Sequence, residues 1–183
     1  TMAGSRETRA VVVSIEPVMG DSVLLSAEVP PAAVRESRPG RFFDILCRCN
    51  GSFDPLLRRP YSVYGVDVVA NVLTFLVRPY GRGSQWLVDR QPGDRLELLG
   101  PLGNAYARNP ASRNLLMVAG GVGVAPLVFL AHEAVARGCS VTFLLGAASE
   151  AGLLAALHLP TAVEYVVATE DGSKGHHGFV TDL

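Results

Sequence analysis

A chain of 183 residues, 49% hydrophobic and 18% charged, is long enough to bury one large or two small cores and too apolar to stay disordered. Its formal net charge of −1 excludes a broad field that would gather nucleic acid or anionic lipid, so any anionic ligand has to be held by local groups. The cysteines Cys47, Cys49 and Cys139 are odd in number and lack disulfide-framework spacing, and no run of about 18 apolar residues spans a membrane; the chain reads as soluble and cytoplasmic, with small molecules or protein as partners.

From Arg9 to about Leu99 the apolar residues come in short runs, Val11 to Ile15, Val23 to Ala27, Phe42 to Leu46 and Val72 to Val77, punctuated by Gly, Pro, Asp and Asn. That spacing predicts an antiparallel β-barrel or sandwich. Within it, Arg59-Pro60-Tyr61-Ser62 opens a strand and places a cation, an aromatic plane and a hydroxyl in one short segment. Alternation puts Arg59 and Tyr61 on one face. A guanidinium can clamp a diphosphate, a phenol can stack on a flat heterocycle and a hydroxyl can donate to a ring nitrogen, which together suit a flavin nucleotide. Taken alone, the same residues also fit Tyr61 as core filler and Arg59 as a surface charge.

The stretch from Arg78 to Leu87 reads as a glycine turn entering a helix, with Ser84 as its N-cap. Backbone amides at such a start attract a diphosphate. The bland alternative is a capped hairpin loop with solvated arginines.

After Pro110 the pattern changes to a buried strand at Leu115 to Ala119, a glycine-rich turn, a helix, and a second buried strand at Val141 to Leu145. Pro126 near the first turn and Gly138 just past Arg137 are the expected start and stop residues of that helix. Gly120-Gly121-Val122-Gly123-Val124-Ala125-Pro126 has the strand-turn-helix context of a dinucleotide turn, although Pro126 stands where the common fingerprint has its third glycine. A tight turn without a ligand has the same context. A further helix, Glu150 to Leu157, and a strand, Val163 to Ala168, follow. A sheet of about three strands is small for a doubly wound domain, so C-terminal sequence is expected to be missing.

These segments, in this order, resemble the ferredoxin-reductase superfamily. Arg59 to Ser62, Gly100-Pro101-Leu102-Gly103-Asn104, Gly120 to Leu127, and Glu170-Asp171-Gly172-Ser173 followed by Gly178-Phe179-Val180-Thr181 are most similar to the electron-transfer subunit of class B dihydroorotate dehydrogenase. The resemblance implies an all-β antiparallel FAD-binding barrel over residues 1–105, followed by an incomplete doubly wound α/β domain over 106–183 that binds a nicotinamide dinucleotide. It implies that Arg59 and Pro60 meet the FAD phosphates, that Tyr61 packs on the flavin and that Ser62 lies near its reactive nitrogen. Tyr61 and Ser62 are the residues it places at the chemistry. Leu76, Val77 and Arg78 would line the ring and ribityl side, and Gly83 and Ser84 the diphosphate. Gly120, Gly121, Gly123 and Pro126 would face NAD(H), with Gly172 and Ser173 near its far end. Members pass electrons from NADH to FAD, then through a [2Fe-2S] cluster to an FMN-containing catalytic subunit that oxidises dihydroorotate in pyrimidine biosynthesis.

The four cluster cysteines have no counterpart here, so the cluster is expected only in an absent C-terminal segment. Cys47 and Cys49 are two apart on a predicted strand and read as core or surface residues; Cys139 reads as buried. His132 on the helix, His158 near a helix end, and His176 and His177 in a glycine-rich loop lack companions for a metal site, and no metal is expected. Two other readings stay open: a stand-alone NAD(P)H-flavin or ferredoxin reductase, or the related subunit of a hydrogenase or transhydrogenase; and an FAD-binding assembly module without nicotinamide chemistry. Glu170 and Asp171 disfavour an additional phosphate if they lie at the adenosine ribose.

Overall fold

In a computed structural model, residues 6–48, 51–107 and 109–183 are described. Six strands, β1 (Arg6–Met19), β2 (Ser22–Glu28), β3 (Phe42–Ile45), β4 (Arg59–Asp67), β5 (Val72–Val77) and β6 (Arg95–Leu102), close into an antiparallel barrel in the order β1-β2-β5-β4-β3-β6. Alternation supplies its core. Phe43, Phe75, Leu25, Ile45, Leu73, Leu96 and Leu98 point inward and are fully buried, and the rings of Phe43 and Phe75 meet edge to face at 5.9 Å. Gly100 is required by this packing, because a Cβ there would lie 2.5 Å from the Phe43 ring. The short helix α1 (Pro31–Glu36) adds Ala33 and Val34 to the same core, and α2 (Arg82–Val88) adds Leu87.

The second sheet is parallel, in the order β10-β9-β8-β7, from β7 (Asn114–Gly120), β8 (Ser140–Ala147), β9 (Val163–Thr169) and the two-residue β10 (His176–His177). β7 pairs only with β8 and forms the edge. Between β7 and β8 runs α3 (Val124–Ala136), whose Val124, Ala125, Val128, Ala131 and Ala134 are buried against the sheet. Gly138 ends it with φ +76°, as its amide and that of Cys139 return to the carbonyls of Val135 and Ala134. Met19, Tyr64 and Leu76, from the outer face of the barrel, belong to this second core. Barrel and sheet therefore share a packed seam.

Three expected local features differ. The helix expected over Glu150 to Leu157 is absent; Glu150–Gly152 and Ala156–His158 form separate 3₁₀ turns. Gly152 interrupts a segment too short to hold a helix without packing, and Leu153, Leu154 and Leu159 gain burial by following the sheet instead. His176 and His177 pair with Ala168 and Thr169 as β10 rather than lying in a loop. β3 ends at Ile45, so Cys47 lies beyond the strand, in the barrel core, and Cys49 lies outside the described residues. Cys139 is buried, as expected.

Candidate functional site

β4 begins at Arg59, at the mouth of the barrel. Arg59, Pro60, Tyr61 and Ser62 border a groove of about 440 Å³, together with Leu76, Arg78, and the turn and helix start from Tyr80 to Ser84. Three arginines and no carboxylate line it. The nearest acidic partners of two of them stand outside: Asp21 holds Arg78 at 3.0 Å, and Asp54 pairs closely with Arg82. Arg59 has no carboxylate partner among the described residues; its Nη1 donates to the carbonyls of Leu57 at 2.8 Å and Arg58 at 3.2 Å. The groove thus offers guanidinium donors in search of an anion.

Burial raises the Tyr61 phenol well above its ordinary range, the nearby Cys47 pushes in the same direction, and Arg59 opposes both. Tyr61 is accordingly a neutral ring and donor, not a base. Cys47 is pushed up to about 11 by burial, against the pull of Arg59 and Arg58, and stays a thiol.

α2 meets this groove end-on. Gly81 occupies its cap position, and Ser84, expected as the N-cap, is its third residue. From there the Ser84 hydroxyl accepts from the amides of Tyr80 at 2.8 Å and Gly81 at 3.0 Å, closing the turn from inside the helix. Gly83 is set by packing, since a Cβ there would lie 3.3 Å from the Cys47 Cβ and 3.5 Å from Arg59 Cγ and Nε. A side chain there would press on Cys47 and fill the space beside Arg59. Val77 is fully buried in the barrel core; its neighbour Leu76 is the one that borders the groove, because successive strand residues face opposite ways.

A second cavity, about 650 Å³, opens at the C-terminal ends of β7 and β8, where ligands of parallel α/β sheets characteristically bind. Gly120 and Gly121 line it, with Gly146 to Ser149 at the end of β8 and just beyond it, Glu170 after β9, the β1–β2 turn from Met19 to Ser22, and Gly178 to Thr181. Arg78 and Val122 border both spaces, so groove and cavity meet. Gly121 needs its glycine, with φ +51°. Gly120 and Gly123 do not: each has an ordinary negative φ, and a Cβ at either would meet nothing within 4 Å. Neither backbone conformation nor internal packing demands glycine at those two positions; of the two, Gly120 borders the cavity, where the missing side chain leaves room for a close approach.

Gly123 and Pro126 fall outside both linings, the first within the 3₁₀ turn leading into α3 and the second inside α3. Gly172 and Ser173 also fall outside. Ser173 donates to Asp171 Oδ1 from its amide at 2.9 Å and its hydroxyl at 2.6 Å, and accepts from the Glu150 amide at 2.8 Å. Those bonds hold the Asp171 carboxyl below its ordinary value, so the loop tip beside Glu170 carries negative charge. The walls from Met19–Ser22, Gly146–Gly152 and Phe179–Thr181 were not anticipated as site residues; the rule that parallel sheets bind at their strand ends would have found the middle one. Among the described residues, no group of three or more His, Cys, Asp or Glu could hold a metal ion. No helix among the described residues is long and apolar enough to cross a membrane.

No family model matches the chain. It is similar to the electron transfer subunit of dihydroorotate dehydrogenase B (NAD(+)) from Desulforamulus reducens, 37% identical over 175 residues, covering 95% of this chain and 66% of the relative. The subunit of the same name from Bacillus caldolyticus is 40% identical over 153 residues, covering 82% and 59%. The chain therefore spans less than two thirds of the length of these relatives. Among solved structures it resembles an NADH-dependent reduced ferredoxin-NADP oxidoreductase, with TM-score 0.81 and 27% identity over 94% of this chain and 60% of that one. The ferredoxin reductase of carbazole 1,9a-dioxygenase shares the fold, with TM-score 0.83 and 23% identity over 97% and 55%.

Proposed function

We propose that this chain, which belongs to the ferredoxin-reductase superfamily, binds FAD across the barrel groove and a nicotinamide dinucleotide in the adjoining cavity, and serves as part of an electron-transfer subunit. The carrying observation is the junction at Arg78 and Val122 between an arginine-lined groove and a glycine-lined cavity. Residues 1–105 form the flavin unit and 106–183 the nicotinamide unit. FAD, when bound, lets two-electron exchange with a nicotinamide feed one-electron exchange with a later acceptor.

The chain's own residues bind and orient. Arg59 supplies a forked donor for the diphosphate, and Gly83 lets the backbone beside Ser84 come close. Tyr61, kept neutral, offers a flat face, and Ser62 a hydroxyl for a ring nitrogen. Leu76 excludes water on the barrel side. Arg78, held by Asp21, stands where the two ligands would meet. Gly120 and Gly121 leave room for the nicotinamide portion, and Glu170 with the ionised Asp171 would disfavour the extra phosphate of NADPH if the adenosine ribose lies beside them.

The relatives' name, an electron transfer subunit of a dihydroorotate dehydrogenase, supports a partner catalytic subunit as the final acceptor; that this partner carries FMN and serves pyrimidine biosynthesis in the cytoplasm is what the resemblance read from the sequence implies. A [2Fe-2S] cluster does not fit the described residues, because Cys47 and Cys139 lie in separate cores; it is assigned to sequence outside these 183 residues. The test is to load the chain with FAD anaerobically and titrate it with NADH while following flavin absorbance. Bleaching is the expected result. Tight FAD binding without bleaching would reduce the chain to a flavin-binding module, and failure to bind FAD would overturn the proposal.

A further inference from the structure

We propose that a third cavity, on the outer barrel wall between β1, β6 and α2, is an oxyanion site for a phosphate-type group, separate from the flavin groove. It measures about 210 Å³ and is bordered by Arg9, Arg48, Arg95, Trp86 and Glu97 over an apolar floor. It shares no lining residue with the groove of about 440 Å³.

The β1–β6 register sets Arg9 opposite Glu97, with Arg95 one diagonal step away on the same outward face. Like charges so placed repel unless a counter-charge intervenes. Glu97 is drawn elsewhere: its carboxylate lies 3.8 Å from Arg58, which also pairs with Glu7 at 2.9 Å. Among the described residues, Arg9, Arg48 and Arg95 have no carboxylate within ion-pair distance. Three arginines therefore share this cavity with one carboxylate, a local excess of positive charge.

A second observation is independent of charge. Of four buried side-chain nitrogen or oxygen atoms without a hydrogen-bond partner among the described residues, two belong to residues that border this cavity, Arg48 Nη1 and Trp86 Nε1, both lying behind its accessible surface. Buried donors are rarely left unpaired, and a small rotation of either side chain would bring its N–H to an oxyanion in the cavity. Both side chains are also braced. The Arg48 guanidinium stands 5.2 Å over the Phe53 ring, and Arg90 covers the Trp86 ring at 4.1 Å. Guanidinium forks with an indole N–H favour a multi-oxygen anion over a halide, and the volume suits a single such group rather than a nucleotide.

Trp86 is the chain's only tryptophan, so its emission reports on this wall. The 183-residue chain is titrated with inorganic phosphate at ionic strength held constant with potassium chloride. A saturable change in Trp86 emission is expected, and Arg95→Gln or Arg9→Gln, both on the exposed strand face, should raise its midpoint roughly tenfold or more with thermal unfolding unchanged. No saturable response, a response that chloride reproduces, or a midpoint indifferent to both substitutions overturns the proposal. In a second arm, calorimetry follows phosphate binding to chain preloaded with FAD. Retained binding supports a separate site; loss of binding assigns the cavity to the flavin's own phosphates and overturns the separation.

Discussion

Replacing Arg59 with Gln is the sharpest test of the flavin groove. Of the five guanidinium N–H donors, the two on Nη1 are engaged with the carbonyls of Leu57 and Arg58, which leaves the Nε and Nη2 edge unpaired among the described residues and facing the start of α2. That edge can make two parallel bonds to a phosphate. Charge-assisted hydrogen bonds contribute about 1.5 to 3 kcal/mol each, and the low end applies in a groove open to water, so the pair is worth about 3 kcal/mol. The substitution should weaken FAD binding roughly a hundredfold. Flavin fluorescence quenching on titration into the apo chain measures the dissociation constant, and circular dichroism checks that the barrel persists. A change below about fivefold, outside what two lost charge-assisted bonds allow, would refute the assignment of Arg59 to the diphosphate.

Gly120→Ala should leave thermal stability within about 0.5 kcal/mol of the parent, since its Cβ finds open space, yet weaken NADH binding in a flavin-bleaching titration. Gly121→Ala, at φ +51°, should lower stability by about 1 kcal/mol as well, read by denaturant unfolding. Gly100→Ala, driven into Phe43, should cost about 1 to 3 kcal/mol in the same unfolding experiment with little effect specific to NADH. Because burial raises the Cys47 thiol from 9.0 to about 11, its contribution to stability is complete below pH 9 and declines as pH rises through 11. Parent minus Cys47→Ala, compared by urea unfolding from pH 8 to 10, should isolate a loss of about 1.3 kcal/mol by pH 10; parallel curves would refute the buried thiol.

The barrel and the parallel sheet could be read from the sequence because their hydrophobic runs differ in length and punctuation, and Arg59 to Ser62 because four contiguous residues carry dense chemistry. The glycine turn was recognisable from its context. What escaped depends on distant partners. The wall from Met19 to Ser22 reaches the cavity only because the barrel docks on α3, and Phe179 to Thr181 only because Val180 covers Gly146, where a Cβ would lie 2.8 Å from that of Val180. The segment Glu150 to Leu157 has helical-looking leucines, but the sheet rather than a helical face buries Leu153 and Leu154. Val77 and Leu76 could not be separated without knowing which way the strand faces. Ser84 has the right chemistry for a cap and acts from three positions further into the helix than such a residue usually does.

The lone pairing of β7 with β8 leaves a row of amides and carbonyls facing outward, beside Leu116 at 66% and Val118 at 47% exposure. An uncharged edge of this kind is adhesive, and isolated chains should self-associate through it. Its direction also dictates what a docking strand brings. Any strand that extends the sheet in parallel register next to β7 ends at the rim formed by Gly120 and Gly146, so the loop that follows it becomes a wall of the glycine-lined cavity. Sheet growth and completion of the glycine-lined cavity would then be one event: a neighbour that quenches this edge also decides how the cavity is closed.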